Sequence, residues 1–357
     1  MKSDNNALDI SLIQQTVQHN CAISDARYSR EYSLCIYLLR MREFYRWKNK
    51  IPLGKGIDQS ALGNWVSDTE AHWDEIEETD FLPLSLSGKD YDPFDTAAIN
   101  KMLNNSGLHY SAGLGRLGQP HFVLARLQAK TTKDQYTCIE FGEELARDVI
   151  TLPAMTQNKT IYVRHEQLAQ LIWQMFDEWH LHQTDGPMAR LVVHFKLNLD
   201  NELPTRINSA ANELSTLLIQ HELGEIAAGE LLGNAYQEMT FAFHGSKGEM
   251  QIRAVRDLLA DSLRSWPYIT TTNSTIALDF WLAGLSGFRE TLFKSANPAQ
   301  GLYSNDSTER LHTLAGITSA AQSRWQTVAD NLLKHYKQNG INFDIDKTIA
   351  DCLVATS

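Results

Sequence analysis

Residues 213–233, ELSTLLIQHELGEIAAGELLG, restrict the fold more than any other stretch of this chain. Read as a helix at about 100° per residue, they carry an apolar seam of Leu214, Leu217, Leu218, Ala228 and Leu232 at steps of three and four. His221 and Glu225 fall on that seam, where leucine or isoleucine is expected. Their i,i+4 spacing puts both side chains on one face, a turn apart, with Glu222 at its border. A buried carboxylate is costly unless paired, protonated or bound to a metal, so the fold must bring Glu225 a partner. A divalent metal with His221 as second ligand meets that need; so does an arginine or a protonated histidine from a facing helix. Gly224 and Gly229 each cost about 1 kcal/mol against alanine inside a helix. With Gly233, Ala227 and Ala228 they make a smooth surface that predicts a close helical neighbour; the alternative is that Gly233 simply terminates the helix and Gly229 marks fraying.

Helical spacing extends over most of the chain. Residues 8–22 repeat Leu12, Ile13, Val17 and Cys21, and Ser24 or Asp25 is placed to cap a long helix over 26–48. Glu31 on that helix is a second candidate buried carboxylate. A third helix, 59–78, turns Trp65, Trp73 and Ile76 inward and an acidic face outward. The one clear β signal is a hairpin, residues 121–129 and 135–141 around TTKD. Gly113, Gly115 and Gly118 spell G-x-G-x-x-G but lack the preceding strand and following helix of a dinucleotide site, so the segment reads as a flexible or substrate-facing loop. Past a linker near 157–160, helices follow to the end; in the first, over 162–182, His165 shares the inward seam with Leu168 and Ile172. The expected fold class is mainly α, a multi-helix bundle-like architecture with one small β-hairpin. An α-rich domain with the hairpin spans 1–158 and an all-α domain spans 159–357.

The net charge of −11 argues against general nucleic-acid binding or adhesion to an anionic membrane, both of which need a basic footprint. Cys21, Cys35, Cys138 and Cys352 form no C-x-x-C and imply reduced thiols. The polar start, MKSDNNALDISL, lacks the apolar core of a signal peptide. A cytoplasmic protein with no membrane association is expected.

His221-Glu222-x-x-Glu225 differs from the zinc-protease pattern H-E-x-x-H by glutamate in place of the second histidine. It also suits a helical-bundle metal site, where carboxylates and histidines project inward from several helices. His165, His221 and Glu225, with Glu31 as a further candidate, would offer oxygen and nitrogen ligands to iron, manganese or zinc. Glu222 would serve as general base toward a metal-bound water. The functional expectation is a metal-binding helical protein, a hydrolase or oxygen-activating enzyme acting on a small-molecule substrate. The alternative is a non-catalytic adaptor or scaffold in which His221 and Glu225 form a structural pair. It would offer the arginine- and aromatic-rich helix at 27–47 and the acidic helix at 68–78 to a protein partner. REYSLCIYLLRMREFYRW and ELARDV resemble stretches of an uncharacterised bacterial protein family. The resemblance implies a bacterial cytoplasmic origin and assigns no functional residue.

Overall fold

A computed structural model of the chain describes residues 8–29, 33–115, 118–133, 136–157, 159–297 and 300–355. The backbone divides into two units. One comprises Met1–Trp173 and Leu199–Ala211, the other Gln174–Asn198 and Asn212–Ser357.

The first unit is built on a sheet. Helix α1 (Ile10–Tyr28) is capped by the Asp9 carboxylate, which accepts from the Leu12 amide at 3.0 Å. It buries Ile13, Val17, Cys21 and Ser24 along one stripe. Ser24 and Asp25 do not cap a second helix: the Ser24 hydroxyl donates to the Pro120 carbonyl and Asp25 accepts from the Val149 amide, so both are spent on tertiary partners inside α1. Helices α2 (Leu34–Lys48) and α3 (Gln59–Ile76) follow, then a small hairpin of β1 (Leu84–Leu86) and β2 (Lys89–Tyr91). Its two turn residues, Ser87 and Gly88, have φ of 51° and 78°, the left-handed pair of a tight type I′ turn. After α4 (Thr96–Leu103) come β3 (Leu108–Leu114), β4 (Pro120–Lys133), β5 (Tyr136–Arg147), β6 (Ala154–Gln157) and β7 (Thr160–Arg164). They form one mixed sheet in the order β3-β4-β5-β7-β6, with β5 and β7 parallel and the other pairs antiparallel.

This sheet overturns the expectation of an all-α, bundle-like chain with one hairpin. The 121–141 hairpin is real, but it forms the second and third strands of five. Strand β3 escaped notice because six of its seven residues are buried. A strand covered on both faces shows no polar alternation, and Gly113 within it reads as loop. The Gly113–Gly115–Gly118 string therefore begins in a strand and ends at its exit.

Helix α5 (His165–His182) leaves β7 without a loop, and α6 (Pro187–Phe195) and α7 (Leu203–Leu232) follow. The rest of the second unit is helical. It comprises α8 (Asn234–Ala242), α9 (Lys247–Ala260), a π-turn at Asp261–Ser265, α10 (Trp266–Thr272), α11 (Thr275–Ala283), α12 (Gly287–Ala296), α13 (Ser307–Asn339) and α14 (Ile345–Ala355). Its core contains Trp266, Trp281 and Phe293 packed edge to face. Asp279 lies in the same core, held by Arg190 at 2.7 Å and Arg310 at 3.4 Å. Among the described residues no helix is long and apolar enough to cross a membrane.

Candidate functional site

Helix α7 brings His221 and Glu225 together, with Nε2 and Oε1 3.6 Å apart. The sequence places both at the centre of the buried seam and Glu222 at its edge; the structure reverses this. His221 and Glu225 keep 25% and 27% of their side-chain surface, and Glu222 is buried. The contact that positions α7 runs through Gly224, where a Cβ would lie 2.3 Å from the Ala260 carbonyl oxygen of α9. Gly224 is displaced by about 100° around the helix from Glu225.

Both residues have ionic partners. His221 Nδ1 lies 2.8 Å from Asp261 Oδ1, and Arg256 Nη2 lies 3.0 Å from Glu225 Oε1. Asp261, the first residue of the π-turn, also accepts from Ser265 Oγ at 2.9 Å, Trp281 Nε1 at 3.0 Å and Arg289 Nη2 at 2.5 Å. Burial alone would lower the His221 imidazole, but the Asp261 and Glu225 carboxylates outweigh it and push it up to about 10. Burial likewise opposes ionisation of Glu225, yet His221 and Arg256 hold it down at about 2. The Asp261 and Glu225 carboxylates thus favour the protonated, cationic form of His221. His165 opens α5 in the other unit, where its Nε2 sits 2.9 Å from Glu140 on β5. Glu31 lies outside the described residues. Among the described residues, no group of three histidine, cysteine, aspartate or glutamate side chains is placed to hold a metal ion.

A second constellation lies wholly in the first unit. A cavity of about 580 Å³ is walled by α1, the end of α2 with the loop after it, β5, the first turn of α5 and the start of α7. Strand β5 supplies its buried charges. Glu144 pairs with Ala125 on β4 while Ala146 pairs with Leu124, so Leu145 is an extra residue in the ladder. Residues three apart on a regular strand face opposite ways; the bulge returns Arg147 to the side of Glu144. The result is an ion pair, Arg147 Nε to Glu144 Oε2, at 3.6 Å. Glu144 is further held by Arg164 Nε at 2.5 Å and Gln167 Nε2 at 2.6 Å.

The Arg147 side chain is 1% exposed. Its guanidinium stands 4.7 Å from the Trp47 ring centre and 5.3 Å from that of Phe44. Nη1 reaches Thr151 and Gln167 only at 3.4 Å, and Nη2 has no hydrogen-bond partner. Burial lowers this guanidinium to about 10, so it remains charged at neutrality. Beside it, burial and then the Glu144 charge push the Glu166 carboxyl up to about 7. Glu166 Oε2 accepts from the Glu144 amide at 3.2 Å.

The surrounding wall is fixed by side chains reaching backbone. Arg46 donates to the Pro52 and Lys55 carbonyls at 2.8 and 2.9 Å, tying down the loop after α2. Gln14 and Gln18 donate to the Leu145 and Arg147 carbonyls at 2.9 and 3.0 Å, pinning the bulge. A carboxyl poised near neutrality beside a buried, incompletely bonded guanidinium is the pairing expected where a protein binds a polar molecule or moves a proton.

Residues 12–164 match the N-terminal domain, and residues 169–353 the C-terminal domain, of a family of unknown function, DUF6866. The chain belongs to the DUF6866 family. No curated protein and no solved structure matches it. In this DUF6866 chain the cavity draws on both matched regions: Arg46, Trp47 and Arg147 fall in the first, Gln170 and Pro204 in the second. Glu166 and Gln167 sit in the short gap between them. Sequence reasoning missed this site. Among its residues, Glu43, Arg46 and Trp47 lie in one of the two stretches that carry the family resemblance and Glu144 and Arg147 in the other. Local spacing gave no reason to join them, because a strand bulge and four helices do the joining.

Proposed function

We propose that this DUF6866 chain is a small-molecule-binding protein whose ligand occupies the cavity between Arg147 and Glu166. The observation that carries this reading is the meeting, in one cavity of about 580 Å³, of a buried guanidinium with an unfilled donor and a carboxyl near neutrality. A cavity of that size suits a small organic molecule. Its wall is held by backbone hydrogen bonds, which reduces the ordering cost of binding. Glu166 is the group placed to give or take a proton at neutral pH.

In the same proposal His221 and Glu225 are structural. Arg256, Arg289 and Asp261 balance their charges in a network that fixes how α7, α9 and α12 pack. A cytoplasmic location belongs to this reading too, supported by four cysteines that are all free thiols.

The test is a thermal-shift screen of carboxylic acids, amino acids, sugars, amines and phosphate esters against wild type and Gln170→Trp. Gln170 lines the cavity and is half-buried, so indole there fills the space. A ligand present at about 100 times its Kd stabilises by about 2.7 kcal/mol. At least one class is expected to raise the wild-type Tm by several degrees and leave the filled variant unmoved. If no class separates the two proteins, the cavity is not a binding site.

A further inference from the structure

We infer that the group this cavity accepts is an oxyanion, seated between the Arg147 guanidinium and the Glu166 carboxyl. This deepens the small-molecule reading and rests on it.

The argument is a balance of charges already committed. On α2, Glu43 is taken by Arg42 at 2.7 Å and Arg46 at 3.2 Å. On β5, Glu143 is taken by Arg126 at 2.9 Å, and Glu144 is shared by two arginines, Arg147 and Arg164. The other carboxylates that line the cavity, Glu43, Glu143 and Glu144, are therefore neutralised from within the protein. The cations are not used up to the same extent. Nη2 of Arg147 and Nη2 of Arg164 are both buried without a hydrogen-bond partner. Lys48 and Lys50 also line the cavity, the Lys48 ammonium standing 5.7 Å from the Trp65 ring centre. Two arginines share one glutamate, and the acids facing them, Glu166 and Asp148, are raised toward neutrality, so each proton those acids hold leaves a positive charge at the buried end. A cationic ligand would meet that excess; an oxyanion would cancel it and supply the acceptor that a guanidinium fork takes two at a time.

Glu166 completes the recognition. The charged groups that line the cavity around it are Glu143, Glu144 and Arg147 from β5, Glu43, Arg46 and Lys48 from α2, and Lys50 from the loop. From α1 and the start of α7 it meets the neutral side chains of Gln14, Gln18 and Asn208. Among the described residues Glu166 has no ion pair. As a carboxylate it would repel an incoming oxyanion; as a carboxylic acid it donates. Binding therefore keeps, or takes up, one proton at this residue.

The experiment is titration calorimetry from pH 6 to 9. Acetate and succinate serve as carboxylate probes, sulfate as a tetrahedral oxyanion whose charge is constant over this range, and acetamide and ethylamine as neutral and cationic controls. Wild type is expected to bind a carboxylate or sulfate, with affinity falling about tenfold per pH unit above pH 7 and with proton uptake seen as a buffer-dependent heat. Which oxyanion binds tighter separates a carboxylate ligand from a phosphate-like one. Glu166→Gln keeps a donor and loses the proton equilibrium, so its affinity should stay level across the range. Arg147→Lys, checked for folding by its urea midpoint, should weaken binding at least tenfold, and Gln170→Trp should block it. Anion binding with the same pH profile in wild type and Glu166→Gln would overturn the inference. So would a neutral or cationic probe that binds and is blocked by Gln170→Trp while the anions do not bind; the small-molecule reading would then survive. If none of these probes binds, the oxyanion inference falls, and the thermal-shift screen alone decides the small-molecule reading.

Discussion

Asp25 on α1 directs both carboxylate oxygens at one backbone nitrogen, that of Val149, at 3.0 and 3.2 Å. Two residues beyond the cavity's Arg147, the end of β5 is thus anchored to α1 by a buried acid. Asp148 lies beside it and accepts from the Phe122 amide at 3.1 Å. Both acids are almost fully buried, and neither forms an ion pair among the described residues.

Burial raises both. Asp148 moves to about 7, and Asp25 rises well above the carboxylate range by burial and then by the Asp148 charge. The folded state therefore holds protons that the unfolded chain releases near pH 4, and stability falls as pH rises from about 4 to about 7. Urea unfolding of wild type at pH 5 and pH 8 should differ by about 2–4 kcal/mol from Asp148 alone. In Asp148→Asn that difference should shrink. Equal wild-type stability at the two pH values would refute the assignment.

His221 has the opposite sign. A histidine raised to about 10 stabilises fully below its unfolded value of about 6.5, and the contribution is lost as pH climbs through about 10. His221→Gln should cost roughly 2–3 kcal/mol at pH 7, where it strands part of the Asp261 charge. The variant should also lose less stability than wild type between pH 8 and pH 10.5, as measured by chemical denaturation. A parallel decline in both proteins would assign the alkaline loss to another group.

Glu144 is the single carboxylate between Arg147 and Arg164. Replacing it with glutamine leaves two buried guanidinium groups without a counter-charge. Removing one partner of a buried ion pair costs about 3–5 kcal/mol, so Glu144→Gln should unfold at a far lower urea concentration. A change below 1 kcal/mol would mean that water reaches this cluster.

The glycines of α7 give a paired test. Gly224→Ala drives a methyl group into the Ala260 carbonyl and should cost at least about 2–3 kcal/mol. Gly229, five residues on, has open space around it and should gain about 0.5–1 kcal/mol as alanine. Calorimetric Tm values moving the same way in both variants would contradict the packing described.

Thiol reactivity should follow exposure. Cys35 is exposed and Cys352 half-buried, whereas Cys21 and Cys138 are buried. Burial pushes Cys138 up to about 11 and also raises Cys21 well above the ordinary thiol value. Iodoacetamide followed by peptide mass spectrometry should label Cys35 first, Cys352 more slowly and the other two only in urea. Early labelling of Cys21 would show that α1 detaches from the sheet.

The helices were largely legible because their apolar stripes are local. Trp73 and Ile76 of α3 and the seam through Leu214 and Leu217 of α7 are buried as their spacing predicts. Gly224 makes the close approach expected of it, and Gly233 ends its helix at φ 69°. The sheet was legible only at its hairpin. Strand β3 shows no alternation because it is buried on both sides, and β7 is five residues long and runs straight into α5, so its Tyr162–Arg164 portion reads as helix. The charged pair on α7 was found by spacing, but its partners Asp261, Arg256 and Arg289 come from other helices that no local pattern connects to it. The cavity was invisible for the same reason, and because Glu144 and Arg147 look like the polar end of a strand rather than its buried part.

The backbone passes from one unit to the other three times, after Trp173, after Asn198 and after Ala211. Pro204, part of the cavity wall, arrives on the returning segment Leu199–Ala211, more than thirty residues after the last strand. No single cut in the gene can therefore separate the cavity from the helical unit and leave it whole. A fragment stopping at residue 164 would carry the sheet but not the completed pocket.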